Sequence, residues 1–383
     1  MPLAFLDAEF HGRVGRVAAE LACQELDALV VTGPENICYL SGFWTPGYHV
    51  FQALVVPRES EPFLVVRNIE RDSVVMKSAY QRNYLIHNLD TALDTFAAAM
   101  RAEGLDRGRI GLEVDAAKQT ITRPDLLSAL LPKVTWVPSV ALVDAFRAVK
   151  SDTEVDYIRQ AVAMAEQAIR SGANSLAAAA TDSDVAAAVH YALAAAGSEF
   201  TGSPAYVVEG VASARTHTLH AGRPIAPNGH VWMEVSASLQ RYHGAVARIG
   251  GRQISNEVRR YFDISAEAVT AMLAAMRDGV ASGEVDAVGR AVVDKYGCGD
   301  CWKNRAAYSL GLSFPPGLGE GHIIDIKPRD PRPLKAGMVF HMIPILKVPN
   351  VGAIGCTETV LVTPEGGQRL GSLEMEPLGG VVS

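Results

Sequence analysis

The stretch that decides the fold runs from Val231 to Gly251 and reads VWMEVSASLQRYHGAVARIGG. Val231, Met233 and Val235 alternate with Trp232 and Glu234, the period of two expected of a strand with one buried face. Glu234 therefore sits inside a strand, where a carboxylate is costly to bury unless it has partners or a task. Ser236 to Gln240 reads as a turn, and Arg241 to Arg248 as the returning strand, which carries Tyr242, His243 and Arg248. Two readings follow from this hairpin. Either it is built around a site at Glu234, or Glu234 is neutralised by a salt bridge to Arg248.

Working outward, 383 residues are enough for two domains with substantial cores. A hydrophobic fraction of 49%, a charged fraction of 20% and a net charge of −7 describe a mildly acidic globular chain without the basic face that nucleic-acid binding needs. No apolar run approaches the roughly 20 residues of a membrane span. The start, Met1 to Asp7, lacks the charged and apolar regions of a signal peptide, so a cytoplasmic location is expected. The five cysteines have no scaffold-like spacing. Cys298 and Cys301 form a C-x-x-C, but no second pair accompanies them, so they read as two incidental thiols on a loop.

Upstream of the hairpin, a helix is expected from an N-cap at Asp7 to about Gln24. Strands follow at Ala28 to Thr32, Gln52 to Pro57, Pro62 to Arg67, Arg109 to Glu113 and Val134 to Val137. Helices are expected at Thr91 to Gly104, Arg123 to Leu131 and Leu142 to Val149. This alternation predicts an α/β domain. The loop Gly42 to His49 is rich in aromatic residues for a connection, with Phe43, Trp44, Tyr48 and His49. Beyond it, Glu154 to Gly172, Asp182 to Gly197, Ser255 to Val280 and Glu284 to Tyr296 read as helices. Ala205 to Glu209, Ala306 to Ser313, Met338 to Leu346 and Glu358 to Thr363 read as strands, with turns at Pro315 to Gly321 and Pro328 to Gly337. His217 and His220 lie on a segment that Gly222 and Pro224 make a loop or strand.

Five separated segments, in order, resemble the pita-bread family (peptidase M24, creatinase-like) of aminopeptidases, prolidases and creatinase. Arg147-Ala148-Val149-Lys150-Ser151 resembles the R-x-x-K-S that opens the catalytic domain, and His217 has the spacing of a substrate-side histidine. The Val231–Gly251 hairpin resembles the first metal-binding hairpin, Gly337-Met338-Val339-Phe340 with Pro344 resembles G-M-V-F-x-x-E-P, and Thr357 to Thr363 resembles the last strand. The resemblance implies a creatinase-type α/β domain over 1–148 and an α+β pita-bread catalytic domain over 149–383.

Metal-dependent members hold two divalent ions with Asp, Asp, His, Glu and Glu. The matching positions here are Glu234, Ala245, Tyr308, Ile343 and Thr357, with Glu358 beside the last. One carboxylate in register cannot hold two such ions, so no metal and no other cofactor is expected. Among metal-free members the segments resemble ectoine hydrolase more than creatinase, through Arg241-Tyr242-His243, Leu312 to Pro316, Gly319-Glu320, Phe340-His341 and Thr357-Glu358. Creatinase has a Glu where this chain has Ala247.

The resemblance implies a hydrolase that opens a C–N bond of a small cyclic amidine. Such chemistry needs a nucleophile or a base for water, a proton donor for the leaving nitrogen and an anion for the cationic amidine. Glu234 is the candidate nucleophile or base, His217 the candidate proton carrier, because histidine changes charge near neutrality, and Glu358 the candidate partner of the amidinium. Tyr242, Tyr308, Phe314 and His341 are expected to bind or orient the substrate. In metal-free relatives the loop matching Phe43, Trp44, Tyr48 and His49 covers the partner subunit's site, which implies a homodimer with composite active sites. A change at Leu318, where the family has Trp, falls in the pocket wall. Two alternatives stand beside this reading: a metal peptidase with a shifted ligand set of Glu234, Glu358, His217 and His341, and a non-catalytic binding module.

Overall fold

The computed structural model describes residues 3–114 and 124–379, and the chain divides into two compact units, Met1–Arg147 and Ala148–Ser383.

In the first unit the strands are β1 (Ala28–Val31), β2 (Ala53–Pro57), β3 (Phe63–Arg67), β4 (Asn83–Ile86), β5 (Arg107–Val114) and β6 (Lys133–Val140). They form one sheet in the order β4-β3-β2-β1-β5-β6. β1 and β5, β5 and β6, and β3 and β4 run parallel, whereas β2 is antiparallel to both neighbours. The helices are α1 (Asp7–Cys23), α2 (Pro34–Ser41), α3 (Arg71–Lys77), α4 (Ala92–Ala102), α5 (Pro124–Leu130) and α6 (Leu142–Arg147). The α1 helix starts at Asp7 rather than being capped by it, since the N-cap is Leu6, which offers no side-chain acceptor. Its buried face, Phe10, Arg13, Val17 and Leu21, repeats at the helical spacing. α2, α3 and β4 escape the sequence pattern because each is short and carries no clean period. Arg123, the expected start of α5, lies outside the described residues.

The aromatic loop of this unit is folded down rather than displayed. Phe43 is wholly buried, so it offers no surface to a ligand. Trp44 lies under the Lys77 ammonium, 3.8 Å from its ring centre. Tyr48 is half-buried and His49 exposed, their rings edge to face at 6.2 Å.

The second unit begins with a capping box. Ser151 Oγ accepts from the Glu154 amide at 3.3 Å and Glu154 accepts from the Ser151 amide at 2.9 Å, which starts α7 (Asp152–Ser175). Next come α8 (Asp182–Ala195), β7 (Tyr206–Glu209), β8 (His230–Leu239) and β9 (Tyr242–Gly251). The remaining elements are α9 (Asn256–Ala275), α10 (Ser282–Lys295), β10 (Ala307–Ser309), β11 (Asp325–Ile326), β12 (Val339–Met342), β13 (Leu346–Val348), β14 (Gly352–Ile354), β15 (Glu358–Val362) and β16 (Gly367–Arg369). β7-β8-β9 form one sheet, β11-β10-β12-β15-β16 another and β13-β14 a hairpin. Single bridges, Tyr242 to Leu312 and Ala247 to Thr357, tie β9 to segments bordering the second sheet.

The hairpin turn is shorter than the sequence suggests. Leu239 pairs with Tyr242, so the turn is only Gln240-Arg241 and Ser236 to Leu239 belong to β8. Both turn residues have positive φ, 51° and 66°, as a two-residue turn matching strand twist requires. Neither is glycine, so the conformation carries strain. Arg241 holds it in place: its guanidinium donates to the carbonyls of Phe200 and Ser313 and stacks over Phe200 and Phe314, at 4.0 and 4.8 Å.

Alternation along β8 then divides its side chains. Val231, Met233, Val235 and Ala237 enter an apolar core with Ala165, Ile169, Val185 and Val189 of α7 and α8. Trp232 and Glu234 face the other way.

Candidate active site

What Trp232 and Glu234 face is a cavity of about 620 Å³ in the second unit. Glu234 is half-buried, and burial pushes its carboxyl up to about 7 against the smaller opposing effects of a hydrogen bond from Trp232 and the charge of Lys347. It is the one carboxylate on the cavity wall among the described residues. Opposite Glu234 on β9 stands Ala247, and on its other side stands Tyr206 of β7. The Tyr206 ring stacks on His217 at 5.8 Å and 28°. His217 is exposed at the cavity wall in the left-handed region, φ 59°, where histidine is tolerated better than most residues.

The opposite wall is Tyr308, held by a short chain of hydrogen bonds. Its hydroxyl lies 2.7 Å from His341 Nδ1, and His341 Nε2 lies 2.8 Å from Thr357 Oγ1. Burial raises the Tyr308 phenol well above its ordinary value and lowers His341 to about 3. The imidazole is therefore neutral, with one nitrogen donating and the other accepting. Gly319 lies against the Tyr308 ring so closely that a Cβ there would come within 2.2 Å of it, so the loop clamps the ring in place.

Of the expected site residues, the fold brings Glu234, His217 and Tyr308 to one cavity, with Leu318 in its wall. His341 sits behind Tyr308 rather than on the wall. Tyr242 is buried on β9, donating to Glu154 Oε1 at 2.9 Å, and Phe314 is buried under Arg241; neither lines the cavity. Glu358 does not reach the cavity either. It is buried with Oε1 accepting from Arg248 and, at 3.0 Å, from Arg369. This also removes Arg248 as the partner of Glu234. The sequence reading missed Tyr206, Arg215, Lys303, Arg305 and Lys347, all on the cavity wall.

The positions that hold metal in related enzymes do not form a metal site here. The Ala245 amide and carbonyl both bond to Thr359 Oγ1, at 3.0 and 2.7 Å. Ile343 has no donor atom, and the Thr357 hydroxyl is engaged by His341. Among the described residues no group of three or more His, Cys, Asp or Glu could hold a metal ion. The shifted set of Glu234, Glu358, His217 and His341 is likewise dispersed between the cavity and the interior. Cys298 and Cys301 are free thiols, and no described helix is long and apolar enough to cross a membrane.

With this geometry in hand, comparisons place the chain among known proteins. The model of metallopeptidase family M24 matches residues 156–364, and that of the creatinase/prolidase N-terminal domain matches 13–149. An uncharacterized hydrolase/peptidase, y4tM, of Sinorhizobium fredii is 28% identical, with 96% of each chain covered. Ectoine hydrolase of Halomonas elongata is 26% identical, again with 96% of each covered. The crystal structure of X-Pro aminopeptidase from Thermotoga maritima superposes with a TM-score of 0.84 at 18% identity, covering 96% of this chain and 99% of that one.

Proposed function

Because the chain belongs to metallopeptidase family M24 and carries a creatinase/prolidase N-terminal domain, we propose that it is a hydrolase opening a C–N bond of a small cyclic amidine or related compound without a metal. The observation that carries this reading is Glu234: a lone carboxylate on the wall of a cavity whose other family metal positions lack usable ligands. A carboxyl near 7 is divided between its acid and base forms at neutral pH, which suits proton transfer.

In the base form Glu234 attacks the carbon between the two ring nitrogens, or takes a proton from water that attacks it. A C–O bond forms, the bond to one ring nitrogen breaks, and that nitrogen takes up a proton from His217 while Tyr308 donates a hydrogen bond that orients the substrate. If Glu234 is the nucleophile, the carbon stays bonded to the second ring nitrogen as an imidate ester of Glu234, and water then adds to it, releasing the N-acyl product and restoring the carboxylate. The neutral Tyr308–His341–Thr357 chain keeps the phenol protonated and fixed in direction, as a donor must be. The ectoine hydrolase relative, at 26% identity, supports an amidine substrate. A second reading, hydrolysis of a small Xaa-Pro peptide, has support in the X-Pro aminopeptidase-like fold; the donor set speaks against the two-metal form of that reaction.

Incubating the protein with ectoine in chelator, and with glycyl-proline plus Mn²⁺, separates the two. Ring-opened N-acetylated product formed in chelator is the expected result. Metal-dependent peptide cleavage with no ectoine turnover would overturn the proposal.

A further inference from the structure

Neither Lys150 nor Glu320 lines the cavity that holds Glu234, yet they form a buried ion pair behind its Tyr308 wall. Lys150 Nζ lies 2.7 Å from Glu320 Oε2, with the two side chains 1% and 2% exposed. Ser309 is tied to the pair twice. Its hydroxyl donates to Glu320 Oε2 at 3.3 Å, and its carbonyl accepts from the Glu320 amide at 2.6 Å. Neighbours on a strand point to opposite faces. The pair therefore grips the back of β10, whose front presents Tyr308 to the cavity. A Cβ on Gly311 would come within 2.8 Å of Glu320 Oε2 and 2.9 Å of Lys150 Cε, so the chain fits the pair without slack.

Glu320 also ends the loop that closes on the Tyr308 ring. Pro316, Gly317, Leu318 and Gly319 stand on the cavity wall. Arg241 fastens the start of this loop, donating to the Ser313 carbonyl at 2.8 Å and stacking over Phe314. Glu320 fastens its end, one residue beyond Gly319, which rests on the ring. A buried ion pair is a poor stabiliser, because taking two charges out of water offsets most of their attraction. Apolar side chains of similar volume often serve a core as well. What this pair supplies is direction: a carboxylate held between Lys150 and Ser309 fixes the place of Glu320, and so of Gly319 before it.

We propose that Lys150 and Glu320 are positioning residues, whose ion pair seats residues 316–319 on the Tyr308 ring and so aims the Tyr308 hydroxyl at the substrate. The effect on turnover rests on the reading of this cavity as the active site of an amidine hydrolase; the effect on the ring does not.

The test replaces the pair by apolar side chains of similar volume, Lys150→Met with Glu320→Met, which should keep the parent's thermal midpoint. The proteins are labelled with 3-fluorotyrosine, and the Tyr308 line of the ¹⁹F spectrum is identified by its loss in Tyr308→Phe. In the double variant that line is expected to shift or broaden, and kcat/KM for ectoine in chelator to fall about tenfold or more. The same replacement in a Tyr308→Phe background should cost less than about twofold, because the pair acts through that residue. An unmoved Tyr308 line in the folded variant overturns the proposal, as does a loss of turnover equally large in the Tyr308→Phe background. Should the double variant fail to fold, Glu320→Asp carries the test: it keeps both charges but shortens the arm by one methylene, and a Tyr308 line left in place there overturns the proposal. If the parent does not open ectoine at all, the amidine reading falls, and the Tyr308 line alone decides the positioning role.

Discussion

Arg248 donates to Glu358 in the interior of the second unit, while Glu234, on the strand beside Arg248, is left to the cavity. The pairing assigns the two acids opposite duties. Glu358 is structural, bonded to two guanidiniums and buried. Glu358→Gln should therefore cost about 3 kcal/mol, since it strands the buried Arg248 beside the half-buried Arg369, with turnover per folded molecule close to normal. Denaturant unfolding with an active-site-normalised assay checks both halves. Normal stability with lost turnover would return Glu358 to the chemistry.

Glu234→Gln should do the reverse. Turnover is expected to drop by at least about 10², and the rising limb of kcat/KM in the parent, with an apparent pKa near 7, should vanish. Stability should improve with pH-dependent size. Below about 4.5 both folded and unfolded chains carry a protonated Glu234, so the substitution is neutral. Between 4.5 and 7 the unfolded chain releases its proton first, and the parent loses stability relative to the variant. Above 7 the variant should lead by about 1–3 kcal/mol, nearer the lower figure because Glu234 is only half-buried. Thermal midpoints of both proteins at pH 4.5 and pH 8 decide it; a variant less stable than the parent at pH 8 contradicts the geometry.

Three histidines oppose this trend. Burial holds His230 at about 4 and His243 and His341 at about 3. Their folded values lie below the ordinary 6.5, so the unfolded chain binds more protons between roughly pH 6.5 and 3. Stability should fall steeply as pH drops through that window, by several kcal/mol in all. Replacing His243, which accepts from the Gly202 amide at 3.0 Å, with Gln should flatten the curve. An acid limb unchanged in that variant would show that His243 does not stay neutral.

The chain is expected to be a homodimer in which the half-buried Tyr48 and the exposed His49 complete a partner's site. Sedimentation should give a dimer, and the Tyr48→Ala, His49→Ala double variant should lose about tenfold in turnover while remaining dimeric. A monomer with full activity rules this out.

The hairpin, its alternation and the departure of the metal positions could be read from sequence because each depends on local period or on residue identity. Direction could not. Glu358 follows Thr357, the family's metal position, but neighbours on a strand point to opposite faces, and Glu358 accordingly turned inward to Arg248. Tyr242 and Phe314 were misread for a similar reason: each lies near a site motif in sequence, yet turns towards Glu154 or Arg241. Arg215, Lys303, Arg305 and Lys347 come from separate loops and strand ends, and only tertiary packing brings them to one wall. Tyr206 was hidden because its place on the cavity wall depends on pairing with Glu234 across a sheet.

The two-residue turn at Gln240-Arg241 acts as an indexing stop for β8. With Arg241 fastened to Phe200 and Ser313, β8 has one permitted phase. A slip by a single residue would exchange the faces of the whole strand, driving Glu234 among the alanines and valines of α7 and α8 and presenting Met233 or Val235 to the substrate. The sheet would survive, and the cavity would lose its carboxylate. The bonds that hold the two left-handed residues of this turn are thus what keep Glu234 facing the cavity.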